Sequence, residues 1–242
     1  LKDRAAKELL QSSGMQNPAR VVRLMRRFVD RWSLDLSGLT VLTEAASGCY
    51  VMTPVLAAMA GAKGVAAITS DSLHATALEV VDQTRALEKL CDLPQSVEIS
   101  TDRNLELFAC ADIITNLGHV RPIDAEAISV LKTTAVVSLM YHGWEHRDRD
   151  VDAVACREQG ILLMGTNEEA PGLDVFKYCG TLCLAMLFES GLEVRGNRIV
   201  IIGGDRFGPV LEQALQAAGA EVLLTEPGRL PVAPDTITGA DA

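Results

Sequence analysis

The chain has 242 residues, 48% of them hydrophobic, 22% charged and 4% aromatic. These proportions exclude a disordered chain, a collagen and a disulfide-stapled mini-domain, and the length leaves room for one large domain or two smaller ones. The net charge of −10 makes the chain a poor bulk partner for nucleic acid or an anionic membrane.

The charge is uneven. Residues 1–31 carry eight Lys/Arg against three acids, net +5, which leaves −15 for the rest. Within this stretch, Val21, Val22, Leu24, Met25, Phe28 and Val29 form an apolar stripe beside arginines, as in a helix packed on its own domain with a solvated basic face. No apolar run reaches about 18 residues, so no membrane span is expected, and no signal peptide is read. The six cysteines form no CxxC pair, which points to a reduced, cytoplasmic protein without a zinc or other metal site.

Beyond the basic helix, short aliphatic runs alternate with helix-length segments. Strands are predicted at 39–45, 64–69, 97–100, 112–116, 135–140 and 161–164, and helices near 54–61, 73–90, 104–110, 123–131 and 150–159. The runs are almost continuously apolar, as parallel strands covered on both faces require. The pattern predicts an α/β fold, a flavodoxin-like doubly wound parallel sheet over residues 1–194. A long helix at 173–190 closes it. Its apolar character suits either a homo-oligomer contact or an interdomain core.

A second β-α-β unit starts at residue 195, with strands at 197–202 and 220–225 around a helix at 209–218. Residues 227–242 carry only a weak strand signal. A complete Rossmann domain has about six strands, so two strands, together with a first residue that is Leu1, are read as truncation of a longer chain.

The turn Gly203-Gly204-Asp205-Arg206-Phe207-Gly208 follows a predicted strand and opens a predicted helix, the setting of a G-x-G-x-x-G dinucleotide fingerprint. Gly203 makes the tight turn and Gly208 lets helix and strand pack closely. Asp205 stands where the middle glycine admits the pyrophosphate. Glu226, at the end of the next strand, occupies the place of the acid that bonds the ribose hydroxyls and selects NAD over NADP. A Rossmann-like unit that has lost nucleotide affinity is the competing reading, and Asp205 favours it.

In an open parallel sheet, ligands bind outside the carboxyl ends of the strands. Here those ends turn polar, at Glu44 and Ser47, at His119, at His142-Gly143-Trp144, and at Asn167-Glu168. A small polar ligand is expected there, with His119 or His142 as proton carrier. His74 is expected inside a helix in a structural role. The run from His142 to His146 lacks H-E-x-x-H order and is read as a loop.

Residues 111–190 resemble the end of the substrate-binding domain of D-isomer-specific 2-hydroxyacid dehydrogenases. The matching run begins Ala111-Asp112-Ile113-Ile114. It continues through Ile123-Asp124, Leu131-Lys132, Gly143, Asp150-Val151-Asp152, Gly160-Ile161 and Thr166-Asn167 into the long helix and the Gly203 turn. Ser47-Gly48-Cys49-Tyr50-Val51-Met52-Thr53, with Leu56 and Gly61-Ala62-Lys63-Gly64-Val65, is similar to the opening of S-adenosylhomocysteine hydrolase, which has a histidine where Val51 stands. The resemblance implies an NAD-dependent oxidoreductase acting on a small 2-hydroxy or 2-keto acid in an interdomain cleft. The Gly143 loop and Asn167 would face substrate, and the family's arginine and acid–histidine pair would lie beyond residue 242. An adenosylhomocysteine hydrolase-like enzyme and a noncatalytic binding module are the alternatives.

Overall fold

The computed structural model describes residues 2–94, 96–173 and 175–226, and the chain divides into two compact units, Leu1–Thr166 and Asn167–Ala242. The first unit opens with two helices, α1 (Lys2–Ser12) and α2 (Pro18–Trp32). Only the basic helix is predicted from the sequence. α1 is additional, separated by a turn at Gly14, whose φ is +101°. Asn17 caps α2 by accepting the Arg20 N–H at 3.0 Å, and Pro18 fills the first turn, where its missing N–H costs nothing. Leu10, Met15, Val22 and Met25 are buried with Val51, Val55 and Leu87, while the arginines at 23, 27 and 31 stay exposed. The basic helix therefore packs on its own unit.

Six strands follow, β1 (Thr40–Glu44), β2 (Gly64–Ile68), β3 (Val97–Ser100), β4 (Ile113–Thr115), β5 (Val136–Ser138) and β6 (Leu162–Met164). They alternate with α3 (Met52–Met59), α4 (Ala77–Leu90), α5 (Leu105–Cys110), α6 (Ala125–Ser129) and α7 (Ala153–Gln159). All pairings are parallel, in the order β3-β2-β1-β4-β5-β6. This is the expected doubly wound α/β sheet. Without its edge strand β3, the remaining order is the flavodoxin 2-1-3-4-5; with it, the order is the 3-2-1-4-5-6 of nucleotide-binding sheets.

The continuous apolar runs have their explanation in the core. Leu42 packs with Phe108, Ile114, Ile123 and Val137 on one face of the sheet, while its neighbour Val41 packs with Val65, Val80 and Val97 on the other. His74 lies before α4, which starts at Ala77, and is exposed rather than helical. Thr76 begins that helix instead, in a reciprocal capping box with Glu79.

Polar ties set the strand register. Thr43 and Thr115 share a buried hydroxyl hydrogen bond of 2.8 Å between β1 and β4. Asp112 accepts from Lys132 Nζ at 2.7 Å and from the Thr40 N–H at 2.8 Å. The Lys132 ammonium, then the Thr40 amide, hold the Asp112 carboxyl below the usual carboxylate range. A group whose folded pKa is depressed adds stability above its unfolded pKa and loses it as pH falls through the folded value. Asp112→Asn is therefore expected to weaken the fold at neutral pH and flatten its stability loss on acidification below about pH 4, measured by urea titration across pH.

The second unit holds α8 (Val175–Glu189), β7 (Arg198–Ile202), α9 (Phe207–Ala217) and β8 (Glu221–Thr225), with β7 and β8 parallel. Cys183, Leu184 and Leu187 of α8 pack on Val194, Ile199 and Leu215. A Cβ on Gly180 would lie 2.8 Å from Ala214 Cβ and 3.0 Å from the Val210 carbonyl, so α8 and α9 approach at the backbone. This corrects the expected boundary at 194/195, because α8 shares its core with the β-α-β unit rather than closing the first sheet. The strand signal at 227–242 lies outside the described residues. Among the described residues, no helix is long and apolar enough to cross a membrane.

Candidate functional site

The strand order of the first unit reverses between β1 and β4, and the crevice outside their carboxyl ends is where such sheets bind ligands. Glu44, the last residue of β1, is 5% exposed, and its Oε2 accepts the His119 N–H at 3.0 Å. A side chain on Gly118 would crowd that oxygen, its Cβ falling 3.2 Å away. His119 Nδ1 pairs with Ser70 Oγ, just beyond β2, at 3.0 Å. Glu44 and His119, predicted separately, thus share one cluster across three strand ends.

Asn116 completes it, and the sequence reading does not select it. Its Oδ1 accepts the Met140 N–H at 2.7 Å, which ties β4 to β5. Its Nδ2 and the Thr69 hydroxyl are buried with no hydrogen-bond partner among the described residues. A polar residue closing an apolar strand was the available signal. The crevice offers a carboxylate acceptor and an amide donor, a pair suited to a hydroxyl and a carbonyl on one small molecule.

A second cluster forms at the ends of β5 and β6. The His142 ring is 7% exposed and stacks on exposed Trp144, with centroids 5.6 Å apart. His142 is packed rather than presented, unlike His119. The charged segment after it is an anchor. Buried Asp150 accepts from Arg121 Nη1 at 2.8 Å, and the Arg147 guanidinium lies 5.3 Å from the Tyr141 ring centroid. Burial, then the Asp150 charge, push the Tyr141 hydroxyl above its ordinary pKa.

Gly143 meets Gly165 backbone to backbone. A Cβ at Gly165 would lie 2.6 Å from Gly143 N and 2.7 Å from its Cα. Gly165→Ala is therefore expected to displace the loop at 142–144 and cost about 2 kcal/mol, measured by urea unfolding. Loss of the His142–Trp144 stack should appear as a change in Trp144 fluorescence.

The other predicted residues fall elsewhere. Ser47 precedes the 3-10 turn Gly48–Val51 and lines a cavity beside α4. Asn167 and Glu168 belong to the second unit, where Asn167 Oδ1 accepts the Glu169 N–H at 3.1 Å. Among the described residues, no group of three or more His, Cys, Asp or Glu is placed to hold a metal.

The turn between β7 and α9 carries the fingerprint geometry. A Cβ on Gly208 would fall 2.9 Å from Leu224 Cδ1 and 3.2 Å from the Gly203 carbonyl, so only glycine fits. Asp205 holds φ = +61°, the left-handed conformation in which aspartate is among the better tolerated non-glycine residues. The Glu226 side chain lies over the turn, its Cγ 3.4 Å from where a Gly204 Cβ would stand. Helix α9 begins with no side-chain cap, which leaves its positive amino-terminal end to other partners. Arg206 pairs with Glu169 and lies over Phe176, whose ring meets half-exposed Phe207 edge-on at 5.4 Å.

No family model matches the chain, and no curated protein matches it by sequence. Among solved structures, it is similar to a dipicolinate synthase from Bacillus halodurans, with 13% identity and TM-score 0.46, over 78% of this chain and 62% of that one. It is similar to a Polaromonas protein assigned as an NAD-binding D-isomer specific 2-hydroxyacid dehydrogenase, at 17% identity and TM-score 0.37, over 60% of this chain and 52% of that one. It is also similar to NAD+-bound 3-phosphoglycerate dehydrogenase from Entamoeba histolytica, at 14% identity and TM-score 0.38, over 81% of this chain and 56% of that one. The chain thus spans between about half and two-thirds of the length of these proteins.

Proposed function

We propose that this chain is part of an NAD-dependent oxidoreductase acting on a small 2-hydroxy or 2-keto acid. The observation that carries the reading is the β7–α9 turn, with Gly208 admitting no side chain, Asp205 keeping the left-handed backbone and Glu226 lying over Gly204. The diphosphate of NAD would rest on Gly203, Gly204 and the uncapped start of α9, and Glu226 would accept from the ribose hydroxyls. Bound NAD supplies hydride acceptance. In the first unit, Glu44 would accept from the substrate hydroxyl, Asn116 Nδ2 would donate to a carbonyl oxygen, and His119 would exchange the hydroxyl proton.

Thermal denaturation with NAD, NADH, NADP and S-adenosylhomocysteine tests this. A ligand at 100 times its dissociation constant stabilises by about 2.7 kcal/mol, an evident rise in melting temperature. NAD(H) alone is expected to act, and Glu226→Ala should weaken it about tenfold, or ~1.4 kcal/mol. A response only to S-adenosylhomocysteine would favour the hydrolase-like alternative. A second reading, a binding module without turnover, rests on the Asp205 carboxylate at the diphosphate position, and silence with all four ligands would favour it.

A further inference from the structure

We propose that the first unit carries a separate site for a small organic amine, between the end of α1, the 3-10 turn Gly48–Val51 and the first two turns of α4. A cavity of about 780 Å³ opens there, within the roughly 300–1,000 Å³ usual for small-molecule sites. Glu79, Asp82 and Gln83 line it from α4 at the three- and four-residue spacing of one helix face. Gln83 decides the reading. It is 6% exposed, and its Oε1 is buried with no hydrogen-bond partner among the described residues. Folded proteins rarely leave such a group unpaired. An acceptor in that position calls for an N–H or O–H donor brought from outside.

Charge narrows the class. None of the described residues lining the cavity is Lys or Arg, while Glu79 and Asp82 face it. The Glu79 carboxylate stays ionised, because the backbone N–H and hydroxyl of Thr76 hold it below the usual range. Tyr50, 59% exposed, adds an aromatic face that accepts a cation or its alkyl stem. An ammonium group on a short carbon chain satisfies all three features, with its N–H to Gln83, its charge to the carboxylates and its methylenes on Tyr50. An anion such as a keto acid or a phosphate satisfies none. This site is independent of the dinucleotide reading.

The test is thermal denaturation of the full 242-residue chain with 1,4-diaminobutane, against 1,4-butanediol at matched ionic strength. The diamine is expected to raise the melting temperature by several degrees and to slow alkylation of exposed Cys49, which lines the cavity, by iodoacetamide. The diol should do neither. Gln83→Leu, which removes the unpaired amide, should melt at or above the unliganded wild type and lose most of the diamine shift. Asp82→Asn, on the surface, should weaken the shift at least fivefold and carries the test if Gln83→Leu does not fold. No diamine shift in the wild type, an equal shift with the diol, or an undiminished shift in the variants would overturn the proposal. The last result would reduce it to diffuse attraction by an acidic chain.

Discussion

Glu88→Ala is expected to lower the unfolding free energy by about 3–5 kcal/mol, read by urea denaturation. Glu88 is 2% exposed near the end of α4, yet it is fully engaged. Its Oε1 accepts the N–H groups of Ser96 and Val97 at 2.8 and 2.9 Å, and its Oε2 pairs with Arg85 Nη1 at 2.7 Å. One carboxylate thus fastens the start of edge strand β3 to the helix that precedes it. Truncation leaves two amides and a guanidinium without their acceptor. The buried-pair penalty governs because the partners cannot all turn to water. Glu88→Gln keeps one carbonyl oxygen for the amides and should cost less than half as much. Equal losses in the two variants would show that charge, not hydrogen bonding, anchors β3.

Asp205→Gly is expected to tighten NAD binding about tenfold, ~1.4 kcal/mol, with little change in stability. Two effects bear on stability and oppose each other. Glycine relieves the cost of a left-handed backbone, about 1 kcal/mol, and loses a similar amount through its freer unfolded chain. The effect on affinity has no such offset. A carboxylate at the middle-glycine position faces the diphosphate, and its removal takes away like-charge repulsion. Gly208→Val should act in the other direction and abolish binding, since the added atoms meet Leu224 and the Gly203 carbonyl. Calorimetric titration measures both. Unchanged affinity in Asp205→Gly would mean that the carboxylate turns away from the nucleotide.

Much of this fold is legible in the sequence because burial on both sheet faces leaves an unbroken signal. The run around Val41 and Leu42 is apolar at every step since successive side chains enter different cores. The Gly203–Gly208 turn was legible because a tight strand-to-helix turn restricts residue type locally. The affiliation of α8 was not. Its apolar residues suit either unit, and only the close approach at Gly180 and the core at Leu184 and Leu187 assign it.

The candidate site divides in the same way. Glu44 and His119 could each be named from a strand end, but their contact joins residues 75 apart and depends on strand order. Asn116 and Gln83 were hidden for a related reason. An amide in a sequence carries no mark of whether it has found a partner, and that is the property that makes each of them informative. The segment Glu145–Asp150 reads as a solvated charge run, yet it contains the buried anchor Asp150, since its partner Arg121 lies far away in sequence.

The most direct test of the central claim is amide hydrogen exchange of the full chain with and without NAD. Exchange is predicted to slow in peptides covering residues 203–208 and Glu226, and to stay unchanged around Gln83. Unchanged exchange at 203–208 under saturating NAD, or slowing confined to the first unit, would contradict a dinucleotide site on the β7–α9 turn.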